Sequence, residues 1–131
     1  MTDTAVRVRR AAAGTAGIIA VLYVLTGTGW VAVTAEQPPG VIPPLLVGAV
    51  AYALLSALLI LARGRGPLIA GVALQVPALL LYVAIAAERI PAFEVWGLTI
   101  KALQVALLAV CLALIAGTRS PTARRAEAKL V

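Results

Sequence analysis

Four long stretches of the sequence carry no charged residue apart from one lysine, Lys101. They cover residues 11–35, 37–62, 66–87 and 95–118. A helix needs about 20 residues, at about 1.5 Å of rise per residue, to cross the hydrocarbon core of a bilayer. Each stretch reaches that length, and 63% of the 131 residues are hydrophobic, against about half in a typical soluble domain. The sequence therefore predicts an all-α integral membrane protein, with a single four-span domain over residues 1–131. The predicted spans cover approximately residues 11–34, 42–62, 67–87 and 95–117.

Basic residues flank these stretches unequally. If the spans alternate in direction, one side of the membrane carries these nine: Arg7, Arg9, Arg10, Arg63, Arg65, Arg119, Arg124, Arg125 and Lys129. The other side carries Arg89 together with Glu36, Glu88 and Glu94. Because short loops rich in Lys and Arg stay in the cytoplasm, we expect an up-down-up-down bundle in the cytoplasmic membrane with both termini cytoplasmic. This asymmetry explains the net charge of +6 without a nucleic-acid partner.

The first stretch is also compatible with a secretory signal peptide. Arg9 and Arg10 precede it, and residues 33–35 resemble a small-residue cleavage site. The apolar run is longer than the 7–15 residues or so of a signal-peptide core. We therefore interpret it as an uncleaved first span.

Small residues are placed where membrane helices pack. Residues 11–17 are mostly Ala and Gly, and small residues allow the close backbone approach that holds membrane helices together. Alanines recur at helical spacing in the second and fourth spans, and we expect helix–helix contacts there: Ala49, Ala53, Ala57, Ala102, Ala106, Ala109 and Ala113. Pro77, at mid-depth in the third span, predicts a bend because proline removes a backbone hydrogen bond.

Lys101 is the first candidate for a specific function. It lies about 9 Å inside the fourth span, given the helical rise per residue. An ionisable side chain at such a depth is costly unless it snorkels, pairs or faces water. Three interpretations stay open: its stem reaches the outer headgroups, it pairs with Glu94, Glu36 or Glu88, or it binds a ligand or ion.

Each span also offers one polar stripe. Gln104 follows Lys101 by one turn, and the stripe on the first span holds Tyr23, Thr26 and Trp30. We expect the stripes to converge in the outer half of the bundle, either as a small polar cavity or as interhelical hydrogen bonds. The candidate cavity residues are Lys101, Gln104, Gln75, Tyr82, Tyr52 and Ser56.

Aromatic residues mark the outer interface. Trp30, Phe93 and Trp96 fit an aromatic belt that anchors the ends of spans at the headgroups. The basic tail over residues 118–131 is a topology signal and also suits anionic lipid at the inner surface.

Several kinds of chemistry are excluded by residue type. The chain has no histidine, which removes His-ligated haem, His metal sites and His acid–base catalysis. Its one cysteine, Cys111, allows neither an intramolecular disulfide nor a redox pair. All five acidic residues lie outside the predicted spans, which argues against a proton-coupled exporter built around an intramembrane carboxylate. We expect no catalytic site, no metal and no cofactor.

Three functions remain. The leading hypothesis is a non-catalytic accessory or scaffold protein that packs with itself or with a larger membrane complex. The first alternative is a small dimeric channel or transporter for an anionic or polar solute that uses Lys101. The second is a lipid- or quinone-binding membrane protein that uses Gln75, Tyr82, Lys101 and Gln104.

Overall fold

The described part of the chain contains four helices that are each long and apolar enough to cross a membrane. The computed structural model describes residues 3–32, 40–88 and 94–117, and this part of the chain contains no strand. The helices are α1 (Asp3–Gly27), α2 (Pro43–Leu61), α3 (Gly66–Ala86) and α4 (Val95–Gly117). The predictions of an all-helical fold and of four helices able to span a membrane are confirmed for the described residues. Phe93, Glu36, the basic tail over 118–131 and most of the loops that follow α1 and α3 lie outside the described residues.

The bounds of α1 differ most from the expected span. The charge pattern predicts residues 11–34, whereas the helix runs from Asp3 to Gly27. Its start is earlier because absence of charge marks the membrane-crossing part of a helix and not the helix itself. Its end is earlier because Gly29 adopts φ +79°, a left-handed conformation that terminates helices and that glycine adopts at little cost.

Prolines occupy the first turn of two helices. Pro43 and Pro44 begin α2, and Pro67 follows the first residue of α3, where the missing amide has no intrahelical partner to lose. Pro77 lies inside α3, on an exposed side, and the helix continues through it. The bend expected there stays a prediction.

The helices form a ring. Each helix contacts the next one along the sequence, and α4 also contacts α1. Contact between α1 and α2 is the most extensive, and contact between α2 and α3 is the least. Arg9 meets Leu59, and Tyr23 meets Gly48, so the residue numbers run in opposite directions along the two helices.

Small residues make the contact between α1 and α2 close. Ala12, Ala13 and Ala16 are buried, and Gly17 faces the Ser56 hydroxyl, which would lie 3.5 Å from a Cβ at that position. The Ser56 hydroxyl donates a hydrogen bond to the Ala13 carbonyl at 2.8 Å. The small-residue packing predicted for the first span is therefore present.

Most members of the alanine stripes of α2 and α4 do not lie in the core of the chain, so the helix–helix contacts expected of them stay a prediction. Ala49 is buried, whereas these six are exposed: Ala53, Ala57, Ala102, Ala106, Ala109 and Ala113. The core face of α4 is instead formed by Gly97, Ile100, Gln104, Leu107 and Cys111. Ile100 and Leu107 pack in the core and Gln104 hydrogen-bonds there, so the alanines face outward.

Arg9 is buried and joins α1 to the end of α2. Its guanidinium donates to the carbonyls of Leu59 at 2.9 Å and Gly64 at 3.0 Å, and also to that of Ala62. The last carbonyls of a helix lack intrahelical partners and carry partial negative charge. Arg9 satisfies one of them together with the loop that follows, a role beyond the topology signal predicted from sequence.

Candidate functional site

Lys101 points into the bundle. Its ammonium lies 2.6 Å from Gln104 Oε1, 3.1 Å from the Tyr23 hydroxyl and 3.5 Å from the Ala78 carbonyl. These three acceptors come from α4, α1 and α3, and all are neutral. The side chain is half-buried, and its direction argues against snorkelling to the headgroups.

Gln104 is the centre of this hydrogen-bond network. It is fully buried, and its Nε2 donates to the hydroxyls of Tyr23 at 3.1 Å and Tyr52 at 2.7 Å. Its Oε1 accepts from Lys101, so both ends of the amide are used. Gln104 therefore connects α4 with its neighbour α1 and with α2 on the opposite side of the ring.

Aromatic rings surround the lysine charge. The ammonium lies 5.1 Å from the centroid of the Tyr82 ring and 5.7 Å from that of Tyr23. Tyr23 also stacks on Tyr52, with ring centroids 5.7 Å apart and an interplanar angle of 23°. A cation–π contact contributes about 0.5–2 kcal/mol, depending on how far the cation is desolvated. These contacts offset part of the cost of holding Lys101 away from water.

Gln75 lies at the same level of the bundle but takes no part in the Lys101 network. It is fully buried, and its Nε2 donates to the Gly71 carbonyl one turn earlier on α3 at 3.1 Å. Its Oε1 is buried without a hydrogen-bond partner in the described residues. We call Tyr23, Tyr52, Gln75, Lys101 and Gln104 the polar layer.

The remaining two candidates lie outside the polar layer. Ser56 is used in the contact between α1 and α2. Tyr82 lies against the N-terminal end of α4, where a Cβ at Gly97 would lie 2.8 Å from the Tyr82 hydroxyl and 2.7 Å from Glu94 Oε1. Glu94 is buried there. Gly97 thus provides space for the side chains of Tyr82 and Glu94.

Tyr23 is the main residue that the candidate list lacked. It shares a predicted stripe with Thr26 and Trp30, yet only Tyr23 reaches the polar layer. The Thr26 hydroxyl donates to the Leu22 carbonyl of its own helix at 2.8 Å, and Trp30 is 84% exposed. The depth of Tyr23 along α1 is the signal that distinguishes it, because Trp30 follows the end of the helix.

Two of the expected interface anchors are described. Trp30 follows α1, and Trp96 is the second residue of α4; both are exposed. Phe93 lies outside the described residues. The positions of the two tryptophans at helix ends are compatible with an aromatic belt, which stays a prediction.

The described residues contain no group of three or more His, Cys, Asp or Glu side chains that could hold a metal ion. The groups brought together are instead one ammonium, two amides and two phenols. Such groups bind oxygen atoms by hydrogen bonding and by charge. No protein-family model, no curated protein and no solved structure matches this chain.

Proposed function

We propose that this is a multi-pass protein of the cytoplasmic membrane that acts as a non-catalytic accessory or scaffold. The up-down-up-down arrangement is supported by the opposed residue order between α1 and α2. The cytoplasmic position of both termini is supported by the basic residues that flank the spans. The lipid bilayer is its general partner, with anionic lipid at the basic tail, and the topology signal accounts for the charge without nucleic acid.

One observation carries the accessory role: the exposed alanine face of α4. Residues Ala102, Ala106, Ala109 and Ala113 are all exposed. At 3.6 residues per turn, this row lies on the side of α4 opposite to the buried row that contains Gln104 and Leu107. Small residues in rows allow another helix to approach closely in a membrane. A second copy of this chain is the first partner to test, and a larger membrane complex is the other.

The test replaces two alanines of this face, Ala106 and Ala109, with leucine. The measurement is the number of fluorophore-labelled chains per particle, by single-molecule photobleaching in liposomes at low protein density. We expect wild type to associate and the double variant to become largely monomeric, because leucine prevents close backbone approach. The matched control is Ala73→Leu together with Ala84→Leu, two exposed positions on α3, which should leave association unchanged.

A second measurement tests association with other proteins. Isolation from native membranes in mild detergent should retain either the dimer or a co-purifying membrane protein. A wild-type chain that is monomeric in liposomes and that purifies without any partner contradicts the accessory role.

The inward direction of Lys101 favours a second candidate function, a small dimeric channel or transporter for an anionic or polar solute. Its ammonium faces the bundle interior, where a solute would meet a positive charge. Under this hypothesis Lys101→Ala abolishes solute flux in proteoliposomes while the protein still folds. Equal flux in the variant and in wild type would refute it.

A further inference from the structure

The ammonium of Lys101 does not use its three hydrogens equally. The distances to Gln104 and Tyr23 are 2.6 and 3.1 Å, whereas the distance to the Ala78 carbonyl is 3.5 Å. Hydrogen bonds from nitrogen to oxygen in proteins are about 2.7–3.2 Å long. One ammonium hydrogen therefore has only a weak acceptor, in a side chain that is half-buried.

Two phenols in the same hydrogen-bond network, those of Tyr23 and Tyr52, are further donors. The hydroxyl of Tyr23 accepts from both Lys101 and Gln104, and that of Tyr52 accepts from Gln104. Each phenol can also donate its own hydrogen. Neither phenolic hydrogen has an acceptor in the part of the chain that the structure describes. Phenolic hydrogens this deep in an apolar bundle are expected to be hydrogen-bonded.

Gln75 adds an unused acceptor. Its Oε1 is buried and lacks a partner among the described residues. It lies one turn from Ala78, whose carbonyl faces Lys101. Gly71, one turn in the other direction, faces Cys111 on α4 and Leu55 on α2, and Leu55 is one turn from Tyr52. These contacts on both sides bring Gln75 to the level of Tyr52 and Gln104. An unpartnered buried amide oxygen is destabilising, and a ligand carrying a hydroxyl would supply the missing hydrogen bond.

The charge decides the class of ligand. The direct hydrogen-bond partners of the ammonium are neutral, and an ammonium in an apolar interior is stabilised most by an opposite charge. Glu94 lies nearer the outer end of α4, against Gly97 and Tyr82. We propose that the polar layer binds the acidic headgroup of a lipid, a phosphate monoester or a carboxylic acid. Lys101 and the phenols bind its anionic oxygens. A singly ionised phosphate monoester also carries a hydroxyl that can donate to Gln75 Oε1, whereas an ionised carboxylate carries none. This site is independent of the alanine face of α4.

The test is native mass spectrometry of the full chain released from micelles doped with defined lipids. The probes are phosphatidic acid, oleic acid, phosphatidylcholine and a quinone at equal concentration. We expect phosphatidic acid or oleic acid to be retained about tenfold more than phosphatidylcholine and quinone, because charge-assisted hydrogen bonds are about twice as strong as neutral ones. Competition with inorganic phosphate distinguishes a lipid headgroup from a free anion. If inorganic phosphate displaces the bound lipid, the site is assigned to a free anion; if the lipid is retained, the site is assigned to the lipid.

Three variants locate the binding. Lys101→Gln should remove the preference for acidic lipids, whereas Arg63→Gln, which removes one exposed charge from the loop between α2 and α3, should keep it. Gln75→Met should lower the retention of acidic lipid. Its resistance to unfolding should stay equal or rise, because the substitution removes an unpartnered oxygen. Weaker binding can then be distinguished from misfolding.

Two results would overturn the proposal. One is equal retention of phosphatidylcholine or quinone by wild type. The other is retention of acidic lipid by Lys101→Gln at the wild-type level. Unchanged retention by Gln75→Met would remove Gln75 from the site.

Discussion

The amide nitrogen of Gln104 donates to the hydroxyl of Tyr52 at 2.7 Å, which joins α4 to α2, two helices that are not neighbours in the ring. The same nitrogen donates to Tyr23 on α1. A single residue of α4 thus links three helices across the centre of the bundle. Lys101 extends this link to α3 through the Ala78 carbonyl. The polar layer therefore connects α2 and α3 through α4. These two helices have the least direct contact of all neighbours in the ring.

Gln104→Leu is expected to lower the free energy of unfolding by about 2 kcal/mol. It removes three hydrogen bonds at about 0.6 kcal/mol each, the average in membrane proteins, and deprives Lys101 of its shortest partner. The measurement is equilibrium unfolding by SDS in mixed micelles, followed by circular dichroism. Gln75→Leu on α3 is the matched control, also a buried glutamine, and should be neutral or stabilising. A stability of Gln104→Leu at or above wild type would contradict a structural role for this network.

Tyr23→Phe is expected to destabilise the protein more than Tyr52→Phe. The hydroxyl of Tyr23 accepts two hydrogen bonds, one of them from the charged ammonium, whereas that of Tyr52 accepts one. We expect losses of about 2 and about 1 kcal/mol, since bonds to charged groups contribute more than neutral ones. The same SDS titration compares the two variants directly. Equal losses, or the reverse order, would show that the contact between Lys101 and Tyr23 contributes little.

Arg9→Ala is expected to lower the free energy of unfolding by about 1–3 kcal/mol, the effect of losing hydrogen bonds from a charged donor to buried carbonyls. Arg9→Lys should recover only part of it, because an ammonium lacks the planar fork that reaches several carbonyls at once. Arg10→Ala is the matched control: Arg10 is the next residue and is exposed, so stability should not change. Equal effects at the two arginines would show that Arg9 acts only through net charge.

Gly97→Ala is expected to separate the C-terminal end of α3 from the N-terminal end of α4. A Cβ there would lie 2.7 Å from Glu94 Oε1 and 2.9 Å from Tyr82 Cε2, which is too close for either to remain in place. The matched control is Gly14→Ala in α1, where nothing lies within 4 Å and alanine should stabilise the helix by about 0.5–1 kcal/mol. Spin labels at Leu81 and Leu98, both exposed, would report the increased distance at Gly97→Ala by pulsed electron resonance. An unchanged distance would contradict the close packing at this glycine.

The existence of the helices was predictable because their cause is local. Uncharged runs of membrane-spanning length need no tertiary information, and α2, α3 and α4 begin and end within one residue of the expected spans. The end of α1 was harder to place, since residues 26–30 are uncharged but adopt a turn that depends on Gly29. Absence of charge predicts where a helix crosses the membrane and says little about where it starts or stops.

The candidate site was partly predictable. Lys101 and Gln104 are conspicuous as polar residues one turn apart in an apolar span, and they do lie together. Their partner Tyr23 lies on a different helix, and only packing of α1 against α4 shows which of its stripe residues reaches them. Ser56 looked equivalent to Tyr52 on the same face of α2, but its short side chain reaches only the nearest backbone, that of Ala13.

The sequence by itself determined that this chain has four apolar stretches of membrane-spanning length with a single charge, Lys101, inside them, because hydrophobicity and charge are properties of local segments. Only the tertiary structure decided which way Lys101 points, that Arg9 binds carbonyls at the end of α2, and that the alanines of α4 face outward. Alanine and leucine can both face lipid or protein, so hydropathy does not distinguish the core face of a membrane helix from its outer face. Packing and the hydrogen bonds of Gln104 decide that, and both depend on residues distant in the chain.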